Sequence, residues 1–543
     1  MKLKSKYDVV ILGAGHNGLV AAAYLARAGL SVLLLEKNDY IGGATTSQRI
    51  FPDYDACLSR YSYLVSLFPE KIIRELGLRL ELRRRNIASF TPYARDGTHN
   101  ALVISNVSES VGRQSLLELT GSDTELGQMQ KFYGLARTFA DKVWDTMLQP
   151  LPDRDELAKQ FAKDESGAEA WRALVEEPLG RALERYLQND LVRGLVFTDA
   201  KIGLFTHPHD ESLLQNRCFL YHLIGNRTGE WKVPVGGMGR VVEELMRVCA
   251  GGGVEMLTEV GLRHVHFGNG GHSVEFERGG ESHTVNARYV LINFGPNILA
   301  KLSGKPYAPD ATHEGSVLKI NMLLRRLPRL LAARYPASDA FGGTFHVDEG
   351  YEQMKISYQQ AAQNRLPDKV PCEVYCHTLT DDSILSPDLR ASGFHTLTLF
   401  ALDTPWRLFA RDNDSMCQQA VRKCLDGLNS YLAEPVEVCL ARGHDGKPCL
   451  EAMTPFDIER QLGHYRGNIF HGALTFPFAE SSDAAGTWGV ETEFPNVFFC
   501  GASARRGGGV SGIPGHNAAM KVLETLKASH HSHSRPRSAK ASV

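Results

Sequence analysis

The chain has 543 residues, of which 43% are hydrophobic and 22% are charged, and its formal net charge is −2. This composition is that of a globular protein, the near-neutral charge argues against nucleic acid as the main partner, and the length predicts two domains. No apolar run reaches the roughly 20 residues of a membrane-spanning helix. The first ten residues contain no apolar signal core, so we expect a cytoplasmic protein or, in a eukaryote, one of an organelle matrix.

The first predicted elements are a strand and a helix joined by a glycine-rich turn. Residues 7–18 read YDVVILGAGHNG and place Gly13, Gly15 and Gly18 in the order G-x-G-x-x-G after a β-branched apolar run. An Ala- and Leu-rich segment typical of a helix follows. A second apolar run then ends at Glu36, 18 residues after Gly18. This spacing predicts a strand–helix–strand unit that binds a dinucleotide.

Each residue type in this unit has a physical role. Gly13 permits the tight turn, Gly15 lets a pyrophosphate approach the backbone, and Gly18 lets the helix pack closely against the sheet. Glu36 can accept hydrogen bonds from an adenosine ribose and would repel a 2′-phosphate, which disfavours NADP. The alternative is a glycine-rich turn that binds nothing, but the strand, helix and acid are all in register. The candidate contacts of this segment are Gly13, Ala14, Gly15, Gly18, Glu36 and Lys37.

Two further glycine-rich segments favour FAD over NAD. A glycine pair begins six residues after Glu36, where the backbone can approach a second part of a long cofactor. Near the end of the chain, residues 496–500 predict a strand, followed by a glycine-rich loop and a long helix whose dipole would stabilise negative charge on a reduced flavin. The candidate contacts are Gly42, Gly43, Ala44 and Thr45 in the first segment and Gly501, Gly509, Val510 and Ser511 in the second.

These segments predict an α/β fold in which a Rossmann-type FAD-binding domain is interrupted by an α+β substrate domain. The predicted pieces of the FAD-binding domain are residues 1–85, 225–300 and 490–527, those of the substrate domain are 86–224 and 301–489, and a polar tail at 528–543 is predicted to be disordered. A second G-x-G-x-x-G in a strand–helix context is absent from the sequence, so we expect no separate NADH domain.

The motifs resemble those of the phytoene desaturase and carotene isomerase group of FAD-dependent, amine-oxidase-like flavoproteins. Within that group they are most similar to the pyridine nucleotide-disulphide oxidoreductase domain-containing protein 2 family. The resemblance rests on segments spread over nearly the whole chain, including EKNDYIGGATTS, VPVGGMGRV, SVLKIN, GNIFHGAL and FFCGASARRGGGVSGIPGHNAA. It implies that Val260 presents its backbone to the adenine and that Arg60, Tyr61 and Tyr63 lie near the flavin, although aromatic packing alone would also explain the two tyrosines. Arg506 departs from the proline expected before the triple glycine.

Two residues are candidates for catalysis, each with a second interpretation. Lys319 lies in the apolar run 317–321, and a lysine there is costly to bury without a partner or a task. By the resemblance it could hold a water near the flavin, whereas the alternative is a strand-edge lysine that reaches solvent. His471 precedes the last flavin segment and could act as an acid or base, or be a packed core or loop histidine.

The ten cysteines predict packed thiols in a reducing compartment and not a redox dithiol. No two are spaced C-x-x-C, and Cys372 and Cys376 are separated by three residues. We expect no metal site, because no His/Cys spacing typical of zinc occurs and the histidines of the tail are weak candidates.

The basic stretch 323–334 allows two interpretations. It could contact a membrane surface peripherally, as would suit a lipid-soluble substrate, or form a short helix of the substrate domain with a solvated basic face. Pro328 interrupts the stretch and favours the second interpretation.

We therefore expect an FAD-dependent oxidoreductase, phytoene-desaturase-like, that removes a hydride from a C–H bond of an apolar or amine substrate. Oxygen or a quinone would then accept the electrons. One alternative is a polyene or carotenoid isomerase that uses reduced FAD. Another is a flavoprotein that regulates a partner by binding. The sequence does not fix the substrate or the oligomeric state.

Overall fold

The computed structural model describes residues 3–308 and 314–533, with the backbone alone for 530–533. In chain order its strands are β1 (Lys6–Leu12), β2 (Val32–Leu35), β3 (Ser47–Gln48), β4 (Leu58–Ser59), β5 (Leu82–Arg83), β6 (Ile87–Arg95), β7 (Thr98–Ser105), β8 (Val233–Pro234), β9 (Glu255–Leu257), β10 (Gly261–Gly268), β11 (Gly271–Arg278), β12 (Glu281–Ile292), β13 (Leu318–Leu324), β14 (Thr344–Val347), β15 (Cys372–Tyr375), β16 (His395–Ala401), β17 (Leu450–Met453) and β18 (Val497–Phe499).

The α-helices are α1 (His16–Arg27), α2 (Glu70–Leu76), α3 (Glu109–Thr120), α4 (Asp123–Val143), α5 (Arg154–Phe161), α6 (Glu165–Trp171), α7 (Leu179–Tyr186), α8 (Asp190–Phe197), α9 (Leu214–Leu223), α10 (Gly239–Gly251), α11 (Pro296–Leu302), α12 (Ala337–Ala340), α13 (Tyr351–Ala362), α14 (Pro387–Ala391), α15 (Asn413–Asn429), α16 (Pro455–Leu462) and α17 (Ile513–His533).

The first sheet has the order β10-β11-β12-β1-β2-β9, and β18 pairs with the C-terminal half of β12. The pairs around β1 and β2 are parallel, whereas β10, β11 and the first half of β12 form an antiparallel meander. The apolar residues 9–12 of β1 are all buried, as expected for a parallel strand covered on both faces. Helix α1 packs against α10 and α17 on one face of this sheet.

The second sheet has the order β17-β13-β16-β15-β14-β6-β7 and is mostly antiparallel. Strand β13 is buried at all seven residues and lies between β16 and β17. Each strand of the first sheet falls in a piece of chain that the sequence assigns to the FAD-binding domain, and each strand of the second falls in the assigned substrate domain. The assignment of whole domains stays a prediction.

The structure corrects the expectation for the basic stretch 323–334. The stretch does not form the short helix that the sequence favours. Strand β13 continues to Leu324, and the residues after it form an irregular segment. The segment pairs with a neighbouring loop, through Arg325 N to the Cys439 carbonyl at 2.8 Å and Leu331 N to the Tyr431 carbonyl at 3.0 Å. Its basic face meets an acid, because Arg326 and Arg329 both bind Glu434.

The predicted start of disorder at residue 528 is also wrong, since α17 continues to His533. Residues 534–543 lie outside the described part of the chain. Within that part, the helices are all too short or too polar to cross a membrane.

Candidate active site

The turn after β1 has the shape that a phosphate-binding loop requires. Gly13 has a φ of +100°, a conformation that favours glycine. A Cβ added at Gly18 would lie 2.5 Å from the Gly13 carbonyl oxygen, so α1 can start this close only with glycine there. Asn293 Nδ2 donates to the carbonyls of Gly13 at 2.9 Å and Gly15 at 3.3 Å. Sequence reasoning missed Asn293, which follows β12 and carries no motif of its own.

Glu36 lies at the carboxyl end of β2 and is buried. Its Oε2 accepts a hydrogen bond from Ala14 N at 2.8 Å and its Oε1 accepts one from Asn38 N at 3.0 Å. The Val260 amide donates to the Glu36 backbone carbonyl at 2.9 Å, which leaves the Val260 carbonyl as its backbone group for a hydrogen bond with a ligand. These two hydrogen bonds hold the carboxylate at the edge where a ribose would lie.

The second glycine segment joins the first. Gly42 has a φ of +124°, and its amide donates to the Ala14 carbonyl at 3.0 Å. Thr45 Oγ1 and His16 Nδ1 lie 2.9 Å apart in a hydrogen bond. Both loops therefore form one continuous backbone surface at the start of α1, where the helix dipole favours an anion.

The C-terminal loop closes the site, and it explains the unusual Arg506. This residue has a φ of +62°, which proline cannot adopt because its ring fixes φ near −65°. The Arg506 side chain is fully buried and donates to the carbonyls of Pro477, Met147 and Gln149. It ties the loop beside the cofactor to the segment after α4. Burial lowers its pKa to about 10.

One cavity of about 1410 Å³ connects these segments to the second sheet. Of the predicted residues, those that line it are Gly13, Gly15, Glu36, Lys37, Gly42, Gly43, Ala44, Thr45, Val260, Gly509, Val510, Lys319 and His471. Four other predicted residues support the walls instead: Ala14, Gly18, Gly501, whose added Cβ would lie 2.7 Å from Asn293 Oδ1, and Ser511, whose hydroxyl accepts from Ile513 N at the start of α17. That each contacts a cofactor stays a prediction.

Lys319 is not a strand-edge lysine that reaches solvent. Its side chain is buried, and Nζ donates to the carbonyls of Ser59 at 2.8 Å and Tyr61 at 2.6 Å. Nζ also lies 4.9 Å from the centre of the Tyr63 ring. Burial lowers the pKa of Lys319 well below its ordinary value, which Glu451 partly opposes. The Tyr63 ring in turn packs against Tyr375 at 4.8 Å between centroids, which forms an aromatic wall of the cavity.

His471 belongs to a cluster of three histidines that line the cavity beside the glycine turn. The rings of His464 and His471 lie 4.3 Å apart. Burial lowers the pKa of both His471 and His16 to about 4, and a positive charge on His471 would lower that of His16 further. His16 Nε2, His464 Nδ1 and His471 Nδ1 have no hydrogen-bond partner among the described residues. The cluster is neutral at pH 7 and faces the place where the phosphates of a dinucleotide would lie.

The far wall of the cavity is polar. Its ionisable residues are Arg85, Asp199, His346 and Glu373, joined by Tyr375. Burial raises the pKa of Asp199 to about 6 and that of Glu373 to about 7, because desolvation disfavours the charged form. The sequence analysis identified none of these residues, since they come from separate elements and form no local motif.

Comparison with known proteins identifies the class to which this fold and site correspond. The chain belongs to the family of flavin-containing amine oxidoreductases, whose pattern matches residues 18–371. It is an FAD-dependent oxidoreductase.

An uncharacterised protein of Mycobacterium tuberculosis is 44% identical over 532 residues, 96% of this chain and 97% of that protein. The pyridine nucleotide-disulfide oxidoreductase domain-containing protein 2 of Mus musculus is 28% identical over 577 residues, 97% of this chain and 95% of that protein, which confirms the resemblance drawn from the motifs. Putrescine oxidase of Kocuria rosea is 26% identical over 348 residues, 58% of this chain and 63% of that protein.

The structure of a putrescine oxidase bound to putrescine has the same fold, with a TM-score of 0.55 at 17% identity over 96% of this chain and 99% of that one. The predicted fold class and cofactor are confirmed. The glycine cradle fits FAD, since Gly15 lines the cavity at the start of α1 and an added Cβ there would crowd Asn293 Nδ2 at 3.1 Å.

Proposed function

We propose that this protein oxidises a small amine at the carbon next to nitrogen, with FAD as the hydride acceptor and oxygen as the final electron acceptor. The family and the putrescine oxidase relative support the amine class. The observation that carries the proposal is the single cavity that runs from Glu36 to the polar wall around Asp199 and Glu373. A substrate between the two ends would touch the cofactor and a polar surface at once.

The cavity does not favour a fully apolar polyene. Such a substrate would cover the Arg85 guanidinium and the Asp199 carboxylate without offering them a hydrogen bond, which is costly in a buried site. An amine can instead bind to carboxylate and aromatic groups, and the Tyr63–Tyr375 wall offers ring faces that attract a cation. No observation on the described residues favours an isomerase or a purely regulatory role.

Residues of this chain would position both reactants. Bound FAD would supply the hydride chemistry, held by Glu36 at the ribose and by the backbone of the glycine segments at the phosphates and ring. Lys319 fixes the loop that carries Tyr61 and Tyr63 against the second sheet, so it positions the aromatic wall. Burial lowers the pKa of Lys319, which favours its neutral amine. The free lone pair of that amine can hold a water or accept a proton beside the flavin ring.

The test is anaerobic mixing of the yellow protein with 1,4-diaminobutane, cyclohexylamine and a polyene. We expect an amine to bleach the oxidised flavin and oxygen to restore it, with one hydrogen peroxide formed per amine oxidised. Lys319→Met should slow bleaching, whereas Lys301→Met, which alters an exposed lysine of α11, should not. Bleaching by the polyene and by no amine would refute the proposal, as would bleaching by dithionite alone.

A further inference from the structure

Three ligand-type side chains meet at one end of the second sheet. His346 on β14 and Glu373 on β15 are directly opposite each other in the antiparallel register, so both point to the same face. Glu349 follows His346 by three residues, just past the end of β14, and accepts a hydrogen bond from His346 Nδ1. One ligand atom of each residue lies within 4.8 Å of those of the other two.

The cluster is buried and its hydrogen bonding is incomplete. His346, Glu349 and Glu373 are 3%, 2% and 3% exposed. Glu349 Oε1 and His346 Nε2 have no hydrogen-bond partner among the described residues. Buried carboxylates and imidazoles in proteins are paired or coordinate a metal, so these two free atoms indicate a missing partner.

The charges around the cluster specify what kind of partner fits. The nearby cation Arg85 faces two carboxylates of the same wall, those of Glu373 and Asp199. Lys201 is engaged by Asp403 at 2.7 Å, with both side chains fully buried. When the carboxylates of Glu349, Glu373, Asp199 and Asp403 are all ionised, they exceed the two cations Arg85 and Lys201 by two negative charges. One divalent cation balances them.

We propose that His346, Glu349 and Glu373 bind one divalent metal ion of the Zn²⁺ or Mn²⁺ type at the wall of the cavity. One imidazole nitrogen with two carboxylate oxygens is a ligand set that suits these ions. Zn²⁺ requires ligand distances of about 2.0–2.2 Å, so a bound ion would draw the three ligand atoms around itself. Because His346 and Glu373 line the cavity, the remaining coordination position faces it and is open to water or to an oxygen or nitrogen of a ligand.

The site carries no sequence signature, which is why the sequence analysis expected no metal. The spacing His-x-x-Glu is common in proteins, and Glu373 is brought to it only by the pairing of β14 with β15.

The test measures metal binding by the full-length, flavin-loaded protein and needs no turnover. The three tail histidines, His530, His531 and His533, are replaced by asparagine throughout, because free histidines bind Zn²⁺ on their own. After chelator treatment and dialysis, isothermal titration with Zn²⁺ and with Mn²⁺ is expected to show one saturable site per chain, and metal analysis of untreated protein is expected to show one equivalent. Glu349→Gln and Glu373→Gln should each weaken binding by at least about 100-fold.

The matched control is Glu244→Gln, which alters a glutamate that is 2% exposed but binds Arg240 and Arg247 on α10. It should leave metal affinity unchanged. The proposal is overturned if the unsubstituted cluster binds neither ion saturably, or if neither glutamine variant differs from the control. If a glutamine variant does not fold, the titration of the unsubstituted cluster still decides. Saturable binding of 1,4-diaminobutane that depends on Glu349, with none of either metal, would assign the cluster to an organic ammonium instead.

Discussion

Acid should destabilise the cofactor-free protein through the histidine cluster, and the structure sets the size of the effect. Burial lowers the pKa of His471 to about 4 from an ordinary value of 6.5. Between these two values the unfolded chain binds a proton that the folded chain does not, so stability falls as the pH falls from 6.5 towards 4. At pH 5 the pH lies about 1.5 units below the ordinary pKa of histidine. At about 1.4 kcal/mol per unit, the free energy of unfolding therefore falls by about 2 kcal/mol. His16, whose pKa burial also lowers to about 4, adds a loss of the same sign.

Urea unfolding of the cofactor-free protein at pH 7.5 and pH 5 measures this loss. The variant His471→Gln should lose about 2 kcal/mol less than the wild type between the two pH values, because glutamine does not titrate. His266→Gln, which alters an exposed histidine on β10, should behave as the wild type. Equal pH dependence in His471→Gln and the wild type would refute the placement of a neutral, buried imidazole at this position.

The same titration also tests where the cofactor lies. A bound pyrophosphate next to His16 would favour the protonated imidazoles and raise their pKa. The FAD-loaded protein should then lose less stability than the cofactor-free protein on going to pH 5. An equal loss in the two forms would place the phosphates away from the cluster.

Three substitutions test the cofactor cradle. Glu36→Arg should reduce the flavin retained through purification at least about tenfold, worth about 1.4 kcal/mol, as measured by the ratio of flavin to protein absorbance. The surface variant Glu281→Arg should retain its flavin. Full retention in Glu36→Arg would contradict the ribose assignment. Gly18→Ala should lower the free energy of unfolding by about 2 kcal/mol, because its Cβ would lie 2.5 Å from the Gly13 carbonyl, and an unchanged urea midpoint would argue against that close approach. Arg506→Met should cost about 3 kcal/mol by leaving buried carbonyls without donors, and a neutral effect in the same assay would show that those carbonyls find other partners.

The cofactor half of the site could be predicted because its determinants are local. The turn at Gly13 and the acid at Glu36 belong to one short strand–helix–strand unit, where spacing along the chain fixes spacing in space. The polar half could not be predicted in this way. His346 and Glu373 become neighbours only through the register of two strands, and His16 meets His471 only when the loop after α16 folds over the glycine turn.

Arg506 shows a different limit of sequence reasoning. Its identity conflicted with an expected proline, but only the backbone angle explains the difference, since a φ of +62° excludes proline and a carbonyl-rich pocket accepts a guanidinium. A sequence pattern gives the residue type expected at position 506, but it does not give the backbone conformation that decides which residue types fit there.

The buried Lys319 is best understood as a link between the second sheet and the segment that follows the second glycine loop. Lys319 Nζ lies on β13 of the second sheet, yet both carbonyls that it binds, those of Ser59 and Tyr61, belong to the chain segment that follows the second glycine loop. Asn321, two residues along the same strand, donates to the Arg60 carbonyl at 3.0 Å. Burying a lysine is costly, and hydrogen bonds that satisfy it offset this cost only when both partners are held in place. Movement of this segment against the second sheet would break these bonds, so the side chain that fixes the aromatic wall also holds the second glycine loop in place against that sheet.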